Sequence, residues 1–309
     1  MNILVYGAGV LGSLYAARLK ESGQNVSILA RGQRLVDIRE LGIVIEDPTT
    51  GKSTITHVNV VDSLMPDDTY DLIMVLVRRN QLVEVLPRLS ANRYTPSILF
   101  MLNNATGPNE IVAALGCERV LLGFPGAGGT REGNTVRATI LFGVLQPTSL
   151  GELGGHSTPR LSKIAQILRS AGFPTVIRKN MDAWLKTHAA LVSPIANAIY
   201  MRDGNIHQLA HDRGSVQLML QAIREGFQVL HSLDIPLTPL NMRILELVPG
   251  PLMVPLLQQL LDTKYAELVI ARHANVARDE MKQIADEFRV LAYDASLPTP
   301  SIDRLYSFV

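Results

Sequence analysis

The chain has 309 residues, 47% of them hydrophobic and 18% charged, and a net charge of +1. That length suits one large or two medium domains, and that much apolar material excludes a disordered chain. The near-neutral balance gives no overall pull toward nucleic acid or an anionic membrane surface, so neither is expected as a partner.

The first predicted element is NILVYG (Asn2 to Gly7), a short apolar strand ending in glycine. It lacks the positive n-region of a signal peptide. LGSLYAARLKESG follows as a helix stopped at Gly23. Between them lies GAGVLG, which places Gly7, Gly9 and Gly12 in the spacing GxGxxG directly after a strand and at the start of a helix. Gly7 allows a tight turn, Gly9 lets backbone approach a pyrophosphate at the helix N-terminus, and Gly12 permits close helix–strand packing. A dinucleotide site is the expectation, with a ligand-free tight turn as the plain alternative.

NVSILA is the second strand, and RGQR follows it. An NAD site offers a carboxylate here for the ribose hydroxyls, whereas Arg31 suits a 2′-phosphate. NADP(H) is therefore expected over NAD(H). Arg34 reads either as a second phosphate contact or as a solvated residue at a helix start. THVNVVDSL is a weaker strand candidate. YDLIMVLV (Tyr70 to Val77) and SILFMLNN (Ser97 to Asn104) are apolar throughout, as strands covered on both faces are. Arg78 and Arg79 close the former and Asn103 and Asn104 the latter, at the carboxyl ends of strands where open α/β sheets bind ligands. One of those asparagines reads equally as a cap for the helix at Pro108.

NEIVAALG is a short helix closed by Gly116, and RVLLGF a further strand. Cys117 is the single cysteine, so no internal disulfide or cysteine zinc site forms, which points to a reducing, cytoplasmic setting. The run GFPGAGGTREG (Gly123 to Gly133) reads as backbone open to a ligand or as a flexible loop. RLSKIAQILRSAG is a helix and FPTVIRK a short strand or extended link.

Beyond Asn180 nearly all periodicity is helical, clearest in SVQLMLQAIREGFQVLHSLD, LMVPLLQQLLDT and ARDEMKQIADEFRVLAYDA. The expected organisation is an N-terminal Rossmann-type, doubly wound parallel sheet over residues 1–180 and an all-helical domain over 181–309. No run reaches the roughly 18–20 apolar residues of a membrane span. His207 and His211 are four residues apart without an evident third ligand, so no metal is expected.

AWLKTHAALVSPIANAIY (Ala183 to Tyr200) sets Lys186 into an apolar helix. At about 100° per residue, Lys186, Ala190, Ser193 and Asn197 share one face, and Pro194 removes one backbone hydrogen bond. By itself the lysine reads as a snorkelling side chain.

The GAGVLG loop, Arg31, the basic residue in VLVRRNQ, the NNATG turn and the WLK entry to a helical second domain occur in one order. In that order the chain resembles the ketopantoate reductase (2-dehydropantoate 2-reductase) family, two-domain NADPH enzymes whose second domain is like the C-terminal domain of 6-phosphogluconate dehydrogenase. The resemblance is good to about residue 200. It implies that Gly7, Ala8, Gly9, Val10, Leu11 and Gly12 form the pyrophosphate loop. It further implies that Arg31 binds the 2′-phosphate, that Arg78 lies near the cofactor, and that Asn104 serves both cofactor and substrate. Lys186 then becomes the proton donor to a substrate carbonyl. Ser193 and Asn197 are expected at the substrate, and Asp279 or Glu280 stands for a family glutamate that binds it. The implied activity is reduction of a small 2-oxo acid, 2-dehydropantoate to pantoate, in pantothenate biosynthesis. Homodimerisation through the helical domain is implied as well. Ala190 and the pair Ser193–Pro194 stand where the family has asparagines, and Asp203–Gly204 where it has Asn-Gly. A reductase of a different carbonyl compound and a catalytically silent NADP-binding protein are the alternatives.

Overall fold

The computed structural model describes residues 1–48, 50–141 and 146–309. The chain divides into two compact units, one made of Met1–Leu102 with Pro108–Met181, the other of Asn103–Gly107 with Asp182–Val309.

In the first unit the strands are β1 (Asn2–Tyr6), β2 (Asn25–Leu29), β3 (Ile43–Glu46), β4 (Ser53–Thr56), β5 (Asn59–Val61), β6 (Leu72–Val75), β7 (Ile98–Met101), β8 (Val120–Phe124), β9 (Ala127–Glu132), β10 (Thr135–Ile140), β11 (Thr148–Glu152) and β12 (Thr175–Ile177). The helices are α1 (Val10–Glu21), α2 (Gly32–Leu41), α3 (Leu82–Ala91), α4 (Asn109–Leu115) and α5 (Pro159–Ser170). The main sheet has the order β12-β11-β8-β7-β6-β1-β2-β5. It is parallel except where β11 runs antiparallel to β8. The order reverses on either side of β1 and β6, the doubly wound arrangement that alternating strands and helices predict. Strands β1, β6 and β7 are apolar because both their faces are covered; Ile3, Leu4, Val5, Ile73 and Leu99 have no exposed surface.

A second sheet, in the order β4-β3-β10-β9, is the main departure from the sequence reading. It joins two hairpins through parallel β3 and β10. Helix α1 packs against it, which is why that helix buries Ser13, Leu14, Tyr15, Ala16, Ala17 and Leu19 rather than a single stripe. The glycine-rich run from Gly123 to Gly133 is accordingly mostly strand rather than a flexible loop. Its strand β9 is paired throughout with β10, and a Cβ on Gly129 would lie 2.3 Å from the Arg137 carbonyl oxygen. These glycines serve the close approach of strands.

The second unit is helical. It comprises α6 (Met181–Tyr200, whose first residue closes the first unit), α7 (Ile206–His211), α8 (Arg213–Ser232), α9 (Ile244–Leu247), α10 (Gly250–Leu261), α11 (Lys264–Ala266), α12 (Arg272–Val276), α13 (Arg278–Ala295) and α14 (Pro300–Tyr306). One π turn, Glu267–Ala271, connects α11 to α12. Asp212 caps α8, its carboxylate accepting from the backbone N–H groups of Gly214 and Ser215. Helices α6, α8 and α13 meet at Gly226, where a Cβ would lie 3.2 Å from that of Ala190 and 3.4 Å from the Phe288 ring. Helix α6 continues through Pro194 to Tyr200.

Candidate functional site

Two constellations carry the candidate chemistry, one in each unit. In the first, the turn between β1 and α1 is closed by backbone contacts. Gly7 has φ +115°, and a Cβ there would come 2.5 Å from the Leu76 carbonyl oxygen. A Cβ on Gly12 would come 1.8 Å from the carbonyl oxygen of Gly7. Only glycine fits either place. At Gly9, by contrast, a Cβ would meet nothing within 4 Å, so open space lies beside the backbone at the N-cap of α1. No side chain caps that helix and its first turn holds no carboxylate, leaving its N-terminal N–H groups and dipole for an anion. The turn fits a dinucleotide pyrophosphate. Ala8, Val10 and Leu11 complete it, each partly accessible.

Arg31 is exposed at the N-cap of α2. Arg34 is not the solvated helix-start residue of the bland reading; it is buried among polar groups of the first unit. Burial, followed by the nearby charge of Arg131, pushes its guanidinium below the ordinary arginine range. Of the pair after β6, Arg79 is buried and forms an ion pair with Glu110 at 3.1 Å. Arg78 is half-buried at the N-cap of the 3-10 turn Arg79–Gln81.

In the second unit, the loop Asn103–Gly107 folds against α6 and α13. Asn104 builds the turn: its Oδ1 accepts from Gly107 N at 3.0 Å and Thr106 Oγ1 at 3.2 Å, and its Nδ2 donates to Gly107 O at 2.8 Å. Gly107 has φ +86°, and a Cβ there would lie 3.2 Å from Asp182 Oδ1 and 3.3 Å from Lys186 Nζ. The Lys186 side chain is only 12% exposed, and its Nζ donates to Asp182 Oδ2 at 2.6 Å. Asp182 Oδ1 is buried and accepts no hydrogen bond among the described residues. An ammonium has three donors, so the ion pair engages one and leaves others for a second acceptor.

Helix α13 holds the same loop from the other side. Asn103 Nδ2 donates to Glu280 Oε1 at 3.0 Å, and Ala105 N donates to Glu287 Oε2 at 3.0 Å. Gln283 Nε2 steadies the second carboxylate at 3.1 Å from Oε1. All of Asn103, Ala105, Glu280 and Glu287 are buried. Asp279, the other candidate beside Glu280, is exposed. Ser193 and Asn197 lie inside the helical unit at 5% and 2% exposure, and Asn197 Oδ1 is buried with no hydrogen-bond partner among the described residues. Asp203 and Gly204, both at positive φ, reverse the chain after α6, and Asn275 Nδ2 donates to the Gly204 carbonyl at 2.9 Å. Among the described residues no group of three histidines, cysteines or carboxylates is arranged to hold a metal, and no helix is long and apolar enough to cross a membrane.

Sequence reasoning missed Asp182, Gly107 and Glu287. The first was within reach: a carboxylate four residues before a lysine on a helix forms the favoured i,i+4 pair. The other two depend on contacts that join residues 105 and 287, which no local pattern reports.

The family model of ketopantoate reductase PanE/ApbA matches residues 3–154. A 2-dehydropantoate 2-reductase from Listeria innocua is 24% identical over 234 residues, 74% of this chain and 75% of that protein. Over its first half the chain is thus similar to the ketopantoate reductase family. This is a family of oxidoreductases acting on CH–OH groups. The crystal structure of 2-dehydropantoate 2-reductase from Geobacter metallireducens superposes with a TM-score of 0.79 at 17% identity, covering 100% of this chain and 98% of that one. A ternary structure of D-mandelate dehydrogenase with NADH and anilino(oxo)acetate gives 0.77 at 19% identity, covering 100% and 96%. Rossmann strands with a helical second half are thus the shared fold of this family. The family match ends at residue 154, before Lys186, so the second constellation is carried by its own geometry.

Proposed function

We propose that the chain reduces the ketone of a small 2-oxo acid to a hydroxyl with NADPH, with 2-dehydropantoate to pantoate as the first substrate to test. The observation that carries this reading is Lys186, a nearly buried ammonium held by Asp182 against the Asn104–Gly107 turn. NADPH, when bound, supplies the hydride. The residues that would hold it are the Gly7–Gly12 turn for the pyrophosphate, Arg31 for the 2′-phosphate, and Arg78 and Asn104 further along. The loop geometry supports that fit, since Gly9 leaves room for a phosphate beside free helix N–H groups.

Lys186 Nζ would hydrogen-bond the ketone oxygen, stabilise the oxyanion as it develops and give it a proton. Asp182 fixes the position of Nζ. Glu280 and Glu287 fix the loop on which Asn104 sits. Ser193, Asn197 and Asp279 are weaker substrate candidates: the first two are interior, and the third is exposed. The compartment expected for this chemistry is the cytoplasm, and a homodimer is the assembly to look for.

A second substrate reading rests on Ala190. It is fully buried beside Gly226, and its methyl offers no hydrogen bond to the single hydroxyl of 2-dehydropantoate. That favours a 2-oxo acid with fewer polar groups than 2-dehydropantoate, and the fold is shared with D-mandelate dehydrogenase, solved with anilino(oxo)acetate. A panel of 2-oxo acids assayed by NADPH oxidation, on the native chain and on Lys186→Ala, separates the readings. Turnover that survives in Lys186→Ala removes the lysine from the chemistry. Nucleotide binding with no turnover on any acid leaves a silent NADP-binding protein. Arg31→Glu should move preference from NADPH toward NADH, and an unchanged preference defeats the assignment of Arg31.

A further inference from the structure

Every part of the Arg34 guanidinium fork is engaged. Its Nε donates to the Ala8 carbonyl at 3.3 Å, Nη2 to Ser13 Oγ at 2.9 Å, and Nη1 to the Asn134 carbonyl at 3.2 Å and to Asn134 Oδ1. Ser13 Oγ in turn donates to the same Ala8 carbonyl at 3.4 Å. Asn134 follows Gly133 in the two-residue turn joining β9 to β10. One side chain therefore ties the Gly7–Gly12 turn to the hairpin of the second sheet.

The consequence follows from the planar trans peptide, which holds a carbonyl and the next N–H on opposite sides. With the Ala8 carbonyl held by Arg34 and Ser13, the N–H of Gly9 must face the other way. Gly9 is the position with open space beside it. The buried positive charge of Arg34, partly offset by Asp37, adds attraction for an anion at the turn.

We propose that Arg34 is a positioning residue for nucleotide binding, one that fixes the Ala8–Gly9 peptide so that the Gly9 N–H faces the pyrophosphate. Its role differs from that of Arg31, since the pyrophosphate is common to NADPH and NADH while the 2′-phosphate is not. The proposal rests on the dinucleotide reading of the glycine turn.

The test is direct titration of NADPH and NADH, with no substrate, on the native chain, Arg34→Lys, Asn134→Ala and Arg31→Met. Lysine keeps the charge but cannot span three acceptors with a planar fork. Arg34→Lys should weaken NADPH and NADH by the same factor, about tenfold or more, as expected for losing charge-assisted hydrogen bonds. Asn134→Ala frees the far end of the fork and should weaken both by a smaller common factor. Its effect should shrink when added to Arg34→Lys, because the two act through one contact. Arg31→Met should change the ratio of the two affinities. Native-like affinity for both nucleotides in Arg34→Lys overturns the proposal, as does a loss confined to NADPH, which would make Arg34 a 2′-phosphate ligand. If Arg34→Lys does not fold, the pair Asn134→Ala and Ser13→Ala carries the same test by the same criterion. A native chain that binds neither nucleotide overturns the dinucleotide reading itself, a result distinct from unaffected Arg34 variants.

Discussion

The glycine turn of the first unit and the Lys186 constellation of the second are built from opposite materials. The turn is made of backbone: Gly7, Gly9 and Gly12 act through the side chains they lack. The lysine site is made of side chains drawn from residues 103–107, 182–186 and 280–287, and each is held by another. A site of the first kind is written in a motif. A site of the second kind exists only after distant segments have folded together, so it is open to substitution at many more positions.

The sharpest test of that contrast is Lys186→Ala. Loss of a proton donor costs roughly a hundredfold to ten-thousandfold in kcat, and NADPH affinity should stay within about twofold of the native value. Stopped-flow single turnover beside a binding titration separates the two quantities. A parallel fall in NADPH affinity would mean that the lysine serves the nucleotide and that the contrast fails.

Gly12→Ala attacks the other side. The new methyl would lie 1.8 Å from a backbone oxygen, and no flexible side chain can yield to relieve it. The turn must deform, at a cost of a few kcal/mol of backbone strain. NADPH and NADH should both lose at least about a hundredfold in affinity, and Tm should fall. Affinity within threefold of native would show that the turn is not a nucleotide cradle.

A smaller effect is expected at Glu287. Glu287→Leu leaves the buried N–H of Ala105 without its acceptor, at about 1–3 kcal/mol, and loosens the loop on which Gly107 meets Lys186. Urea unfolding should show the stability loss. Turnover should drop by roughly tenfold at unchanged nucleotide affinity, and Glu287→Gln should recover part of it. Full turnover in Glu287→Leu would detach the loop from the chemistry.

The fold was legible wherever period and punctuation agree. Strands β1, β6 and β7 are continuous apolar runs, and α8 and α13 show clear helical spacing. The second sheet was not, because its strands are half-exposed and polar, as in STIT and AGGTRE, and because glycines that let strands approach look like glycines of a loop. At the candidate site, Gly7, Gly12 and Lys186 could be read directly. The division of labour between Arg31 and Arg34 could not: two arginines three residues apart are indistinguishable until one meets Asn134, a hundred residues away in sequence.

The smallest effect concerns His188, two residues beyond Lys186 on α6 and on a different face. It stacks on Trp184 with ring centroids 5.2 Å apart and planes within 8°. Burial, with a further push from the His273 charge, lowers its imidazole to about 4 from the ordinary 6.5. The folded state therefore keeps His188 neutral at a pH where the unfolded chain already binds a proton. The unfolded state gains protons first as the pH falls below 6.5, so the contribution is fully present above that value and is lost progressively toward pH 4. The loss should be about 2 kcal/mol at pH 5. His207 works in the opposite direction, since Asp262 raises its pKa, so the native chain alone does not isolate the effect. His188→Phe does, because it keeps the stack and removes the titration. The stability difference between the two chains should change between pH 7 and pH 5 in favour of the phenylalanine, read as urea midpoints at each pH. A difference that does not move with pH would show that His188 titrates alike in the folded and unfolded chains.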